Sequence, residues 1–188
     1  MKDNTETEEI VIKRAKSGDI DSFETLFNLY HDRIYSLCVR IIGNPTEAQD
    51  ICQEVFIQAM RKIETFKGKS SFSTWLTRIA INRSKDFLRS KKRKREVSSE
   101  SILQGAGFDP QAPDKMVQTL ETEAIVHDAL LKLPESLRIP LILKEIEQLD
   151  LKEVSRILKL PEGTVKSRIF RAKLKLAELL EPHREHIP

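Results

Sequence analysis

The chain has 188 residues and carries 32 Lys and Arg against 29 Asp and Glu, a formal net charge of +3. That length admits one large domain or two small ones. Two cysteines are too few for a disulfide framework, and no apolar run approaches the roughly 20 residues of a membrane-crossing helix. The first residues, MKDNTETEEI, are acidic and polar and do not read as a secretory signal, so a cytoplasmic protein is expected.

Nearly every later segment has helical periodicity, and no sustained alternating pattern occurs. A short helix is expected from Glu8 to Ser17, stopped by Gly18. A longer one follows from Asp21 to Ile42, with Phe23, Phe27, Tyr30, Ile34, Leu37, Cys38 and Ile41 at three-and-four spacing. Gly43, Asn44 and Pro45 break the pattern. Asn44 suits an N-cap and Pro45 the first turn of a third helix reaching Phe66. Cys38 and Cys52 fall inside apolar patterns and read as buried, reduced thiols. With no clustered His pair beside them they make a poor zinc site.

Glu47, Asp50 and Glu54 lie at i, i+3 and i+7 of the third helix, so they share a face, flanked by Gln53. Carboxylates in such a stripe could serve a catalytic metal, but all three come from one helix and no second ligand cluster closes the site. A solvated face and a docking surface for a basic partner both remain open. After the loop KGKSS, another helix is expected from Ser73 to Arg93. Phe72, Trp75 and Phe87 alternate there with Arg78, Asn82, Arg83, Lys85 and Arg89, and the run ends in RSKKRKR. Rings interleaved with cations and an amide suit single-stranded nucleic acid. Trp75 reads better as core, and Asn82 as functional.

Periodicity is lost over residues 96–118, where Ser, Gly, Pro and acids dominate. Residues 96–124 hold six acids and one cation, directly after the cationic run. That segregation points to a polyanion-binding element beside an acidic connector. About four further helices follow. Pro134 opens one, and Pro140 is expected to bend it or to mark its effective start. Asp150 and Glu153 form a capping box for LKEVSRILKL, and Pro161 starts the last helix.

A short helix, a tight turn and a basic helix make a helix-turn-helix. Leu151, Val154, Ile157 and Leu158 give the first helix its inner face, and Val165 and Ile169 serve the second. Phe170 lies well away from that stripe, among Lys166, Ser167, Arg171 and Leu174. DNA would cover such a ring by packing it on thymine methyls and sugars in a major groove about 12 Å wide. Cover by the first domain, over Phe170 and Leu174, is the alternative.

Four segments, AQDICQEVFIQA, FSTWLTRIAINRSKDFLRSKKR, LPESLRIPLILKEIEQL and LPEGTVKSRIFRAKLKL, occur in this order and span nearly the whole chain. Together they resemble the extracytoplasmic-function group of bacterial sigma factors. The resemblance implies an all-α fold of two small helical domains: sigma domain 2 over residues 1–95, a flexible acidic linker over 96–118, and sigma domain 4 over 119–188. It implies a transcription initiation factor rather than an enzyme, with no cofactor and no direct membrane insertion. Its partners would be core RNA polymerase (the β′ clamp helices and the β flap), promoter DNA, both duplex and melted, and an anti-sigma factor acting in a stress response.

Position by position, the resemblance places Asp50, Gln53, Glu54 and Phe56 against the clamp helices. Phe66, Lys67 to Ser71 and Asn82 match the loop and pocket that capture a flipped −10 base. Arg83, Lys85, Arg89 and Lys92 would track the backbone there. Lys144, Gly163, Thr164, Lys166, Ser167, Phe170 and Arg171 match positions that face the −35 duplex. The linker would thread toward the RNA exit channel, its acidity mimicking nucleic acid. Two positions depart from the family's pattern. Lys159 occupies a turn site where glycine is common, so a strained or adjusted turn backbone is expected, and Cys52 stands where threonine is common.

Overall fold

The computed structural model describes residues 7–97 and 114–186. Its elements are α1 (Glu8–Lys16), α2 (Ile20–Ile42), α3 (Pro45–Lys62), α4 (Phe72–Val97), α5 (Asp114–Lys132), α6 (Glu135–Leu141), α7 (Leu151–Leu158) and α8 (Glu162–Leu180). A 3-10 turn over Ile63–Thr65 follows α3, a π-helical turn over Ile142–Ile146 follows α6, and a 3-10 turn over Glu181–His186 follows α8. No strand occurs among the described residues, so the fold is all-α as the periodicity requires. Helices take both ends of the segment read as a linker. α4 runs on to Val97 and α5 begins at Asp114; the middle of that segment lies outside the described residues.

Two compact units divide the chain: Met1–Val39 with Pro45–Lys94, and Arg40–Asn44 with Arg95–Pro188. In the first unit, Leu26, Ile34 and Leu37 of α2, Ala48, Val55 and Ala59 of α3, and Leu76 and Ala80 of α4 are almost completely buried. Cys38 and Cys52 join them as free thiols. Burial pushes Cys38 up to about 12 and Cys52 up to about 11, so both stay protonated at neutral pH and pack as small apolar groups. Ser84 of α4 reaches the Cys38 sulfur at 3.9 Å.

An aromatic cluster closes one end of this unit. Phe66 meets Phe72 edge-on at 5.5 Å between ring centres and Trp75 at 5.5 Å; Tyr30 lies 5.5 Å from Phe72. Trp75 is only 6% exposed and is core, as expected from its spacing. Such ring pairs add about 0.5–1.5 kcal/mol each beyond the area they bury.

In the second unit, α8 packs against α5, α6 and α7. Leu130, Leu133, Ile139, Ile142, Leu143, Val154, Ile157, Val165, Ile169 and Ala172 form its core. Pro140 neither begins nor ends its helix. It is buried inside α6, and the helix passes through it. Proline lacks an N–H and so deprives the backbone four residues before it of an acceptor's partner. One turn later the ladder widens, with the Glu147 N–H donating to the Ile142 carbonyl at 3.0 Å. Arg138, also buried, donates to the Leu131 carbonyl at 2.9 Å, placing a cation at the C-terminal end of α5.

Candidate nucleic-acid interface

The turn between α7 and α8 decides which side of α8 is free. Asp150 accepts from the Glu153 N–H at 2.7 Å while Glu153 accepts from the Asp150 N–H at 3.3 Å, a complete capping box. At the other end Lys159 takes the left-handed conformation, φ 55° and ψ 46°. The expected strain is therefore real, since a side chain in this region costs on the order of 1 kcal/mol or more. The Leu160 N–H returns to the Ser155 carbonyl at 3.1 Å and the Ser155 hydroxyl donates to the Leu160 carbonyl, so the turn is over-determined. Gln148, just ahead of α7, is the other described non-glycine residue with positive φ, at 55°.

This turn lays Val165, Ile169 and Ala172 into the core. Gly163, Lys166, Ser167, Phe170 and Arg171 fall on the opposite side and are exposed; Thr164 is half-buried at the edge. Phe170 is 63% exposed, and Leu174 one turn on is 53% exposed. The ring therefore stands in solvent between cations. Lys173 reaches Glu145 of the π-helical turn at 3.0 Å. Lys144 was expected on this face, but its ammonium is turned to the Leu149 carbonyl at 3.2 Å and is half-buried. It fastens the approach to α7, a task visible only once the π-helical turn is known.

In the first unit, Asp50, Gln53 and Glu54 are exposed on α3. Phe56 is not in that face. It is 5% exposed and meets Phe27 edge-on at 4.7 Å, so it supports the face from beneath. Two apolar residues take its place. Ile57 and Met60 are 46% and 50% exposed; Ile57 continues the stripe one turn on from Gln53 and Glu54, and Met60 follows one turn after Ile57. The sequence carried their signal, since both fall off the α3 core stripe as Phe170 does on α8.

The acidic stripe itself is partly neutralised. Both Glu47 carboxylate oxygens accept from the Lys91 ammonium at 2.6 Å, and Glu54 pairs with Arg83 at 3.4 Å. Among the described residues no group of three or more His, Cys, Asp or Glu is arranged to hold a metal.

The loop over residues 67–71 joins the 3-10 turn to α4. Lys67 and Lys69 are exposed, and Gly68 takes φ +67°, open to a glycine without strain. Phe66, expected to touch DNA, is 8% exposed within the aromatic cluster and anchors the loop instead. Ser71 is likewise occupied: its hydroxyl accepts from the Thr74 N–H at 3.0 Å and caps α4. Beyond the loop, Asn82 is exposed, Lys85 is half-buried, and Arg89 and Lys92 are exposed, so α4 keeps a polar, cationic flank. Arg89 reaches Asp86 at 3.9 Å. Asp86, Arg89, Ser90 and Arg93 line a shallow recess there. No helix among the described residues is long and apolar enough to cross a membrane.

These two surfaces coincide with known regions. Residues 26–94 match the family described as Sigma-70 region 2, and residues 123–176 match Sigma-70, region 4. The ECF RNA polymerase sigma factor SigW of Bacillus subtilis (strain 168) is 39% identical over 176 residues, covering 90% of this chain and 94% of that protein. Among solved structures, CnrH in complex with the cytosolic domain of CnrY is 26% identical with a TM-score of 0.67, covering 93% of this chain and 97% of that one. The sigma factor RpoE of Bartonella quintana, in complex with the anti-sigma factor NepR, shares the fold at 23% identity with a TM-score of 0.71, covering 85% of this chain and 96% of that one. With α8 presenting its cations and Phe170 beside a capped and locked turn, and with both regions matched in order, the chain belongs to the ECF RNA polymerase sigma factors.

Proposed function

We propose that this chain joins core RNA polymerase and directs it to promoters through separate −10 and −35 contacts, leaving phosphodiester chemistry to the polymerase. The observation that carries the reading is the exposed ring of Phe170 within the cationic face of α8, opposite the buried stripe. Lys166 and Arg171 donate to phosphates or guanine edges, Ser167 to a base or phosphate, and Phe170 packs on thymine methyls. Gly163 and Thr164, at the N-terminal turn of α8, bring backbone N–H groups toward a phosphate.

The first unit acts on the other element. The 67–71 loop and Asn82 hold a base flipped from the −10 strand, whose unstacking costs a few kcal/mol. Arg83, Lys85, Arg89 and Lys92 follow the strand's phosphates. Asp50, Gln53 and Glu54, with Ile57 and Met60, dock on the polymerase clamp, and Phe56 holds that face in shape. The apolar pair would supply buried area and the acids orientation. An anti-sigma factor covers these faces in the uninduced cell, in keeping with the complex formed by CnrH and the cytosolic domain of CnrY.

In vitro transcription tests the reading. Purified core polymerase is mixed with the chain and a fragmented genomic template, and 5′ ends are mapped. Discrete starts that share two upstream elements, and that vanish without the chain, are the expected result. Specific duplex binding with no starts would replace the reading with a stand-alone DNA-binding regulator.

A further inference from the structure

The loop over residues 67–71 is fastened at its entry by α1, a helix that lies ahead of the matched region 26–94, and at its exit by Tyr30 of α2, which α1 holds in turn. At the entry, the Lys16 ammonium in the last turn of α1 donates to the Phe66 carbonyl at 2.8 Å. At the exit, Tyr30 packs on Phe72, the first residue of α4, and its hydroxyl donates to the Glu8 carboxylate in the first turn of α1 at 2.8 Å. Glu8 and Lys16 stand about 12 Å apart along the helix at 1.5 Å per residue. Val11 and Ala15 between them are buried, so the helix is fixed in place. The Phe66 carbonyl has no place in a helix ladder, because the 3-10 turn ends at Thr65. Lys16 supplies its donor.

We propose that Lys16 is a positioning residue for −10 recognition: by holding the Phe66 carbonyl it fixes the mouth of the 67–71 loop, and α1 thereby sets how sharply the loop discriminates bases. The inference rests on the reading of that loop as the −10 contact. Glu8 and Tyr30 hold the far side of the same mouth. A loop of five residues gripped at both ends loses little freedom when a base enters, so the pocket is formed before DNA arrives.

Hydrogen exchange on the full-length chain tests the brace without reference to DNA. Lys16→Met should speed exchange at residues 67–71 about tenfold, the effect of one charge-assisted hydrogen bond, with α3 and α4 unchanged. Lys16→Arg should restore protection. Lys13→Met, which removes a charge from an exposed site on the same helix, should leave the loop as it is. Unchanged exchange in Lys16→Met, or an equal effect of Lys13→Met, would overturn the brace.

Transcription with core polymerase then tests its consequence, read as the ratio of run-off product from an intact −10 element to one with its bases replaced. Lys16→Met should lower that ratio about tenfold, and Lys16→Arg should recover it, while duplex −35 binding stays as in the parent. Replacing residues 67–70 with glycines is the companion variant. If that replacement collapses the ratio and Lys16→Met does not, the positioning role fails and the loop reading stands. If neither changes the ratio, the loop reading falls and the positioning role falls with it.

Discussion

Two helices present cationic faces, and they hold them in different states. On α4, Arg83 and Lys91 are already paired, with Glu54 and Glu47 of α3. On α8, Lys166 and Arg171 stand exposed with no charged partner among the described residues. The aromatics divide the same way: Trp75 of α4 is sunk in a ring cluster and Phe170 of α8 is bare. The difference is one of neighbours. α4 lies along the acidic stripe of α3, whereas on α8 it is Lys173 that reaches an acid, Glu145, and Lys166 and Arg171 meet none among the described residues. α8 is therefore ready for a polyanion as it stands. The Glu54 pair on α3 and α4 has to be exchanged before either member can serve an outside partner, at a cost of about 1 kcal/mol or less for a half-exposed pair.

The sharpest way to break this comparison is through the rings. Trp75→Ala should destabilise the first unit by about 3–5 kcal/mol, seen as a lowered denaturation midpoint, because it opens a cavity that Phe66 and Phe72 cannot fill. A loss below about 1 kcal/mol would mean that the cluster does not hold this end together. Glu54→Lys comes next. Core polymerase binding should weaken by about 1–2 kcal/mol, roughly tenfold, in a titration of labelled protein. The fold should change by no more than about 1 kcal/mol, since the Arg83 pair is half-exposed. Unchanged polymerase affinity would remove α3 as the docking face.

Phe170→Ala should reverse the pattern of Trp75→Ala. Affinity for a −35 duplex should fall by about 1 kcal/mol, while the melting temperature moves by no more than about 2 °C. A fall of several degrees would make Phe170 a core residue. Lys166→Ala should lower the slope of binding against salt by about one, the signature of a single lost phosphate contact. Lys159→Gly is the smallest effect. Removing the side chain from a left-handed site should stabilise the second unit by about 0.5–1 kcal/mol in thermal unfolding, with −35 affinity unaltered. Destabilisation would mean that the Lys159 stem makes a contact worth more than the strain.

Much of the fold was written in periodicity. Helical spacing together with glycine, proline and cap signals gave α2, α3 and α4 within a few residues of their observed ends and the start of α8, and Asp150 with Glu153 announced the start of α7 through its own hydrogen bonds. The family's frequent glycine at this turn marked Lys159 as a site of strained or adjusted backbone, and its left-handed conformation bears that out. Position along the chain was a poorer guide to what individual side chains do. Phe56 and Phe66 look like surface residues by motif and are core by packing. Ser71 and Lys144 look like free polar groups, yet each already makes a hydrogen bond within its own unit, with Thr74 and Leu149.

What the sequence determined by itself is local: helix, cap, turn, and an apolar ring placed off the core stripe of its own helix. These depend on spacings of one to eight residues along one backbone, which the chain states directly. What only the tertiary structure decided is which groups meet across distance. Lys16 finds a carbonyl 50 residues away, Lys91 finds Glu47 44 residues away, and Tyr30 finds Glu8 22 residues away. No local pattern encodes those pairs, because each arises from helices packing their apolar faces together, and the polar groups at the rims then bond to whatever that packing brings within reach.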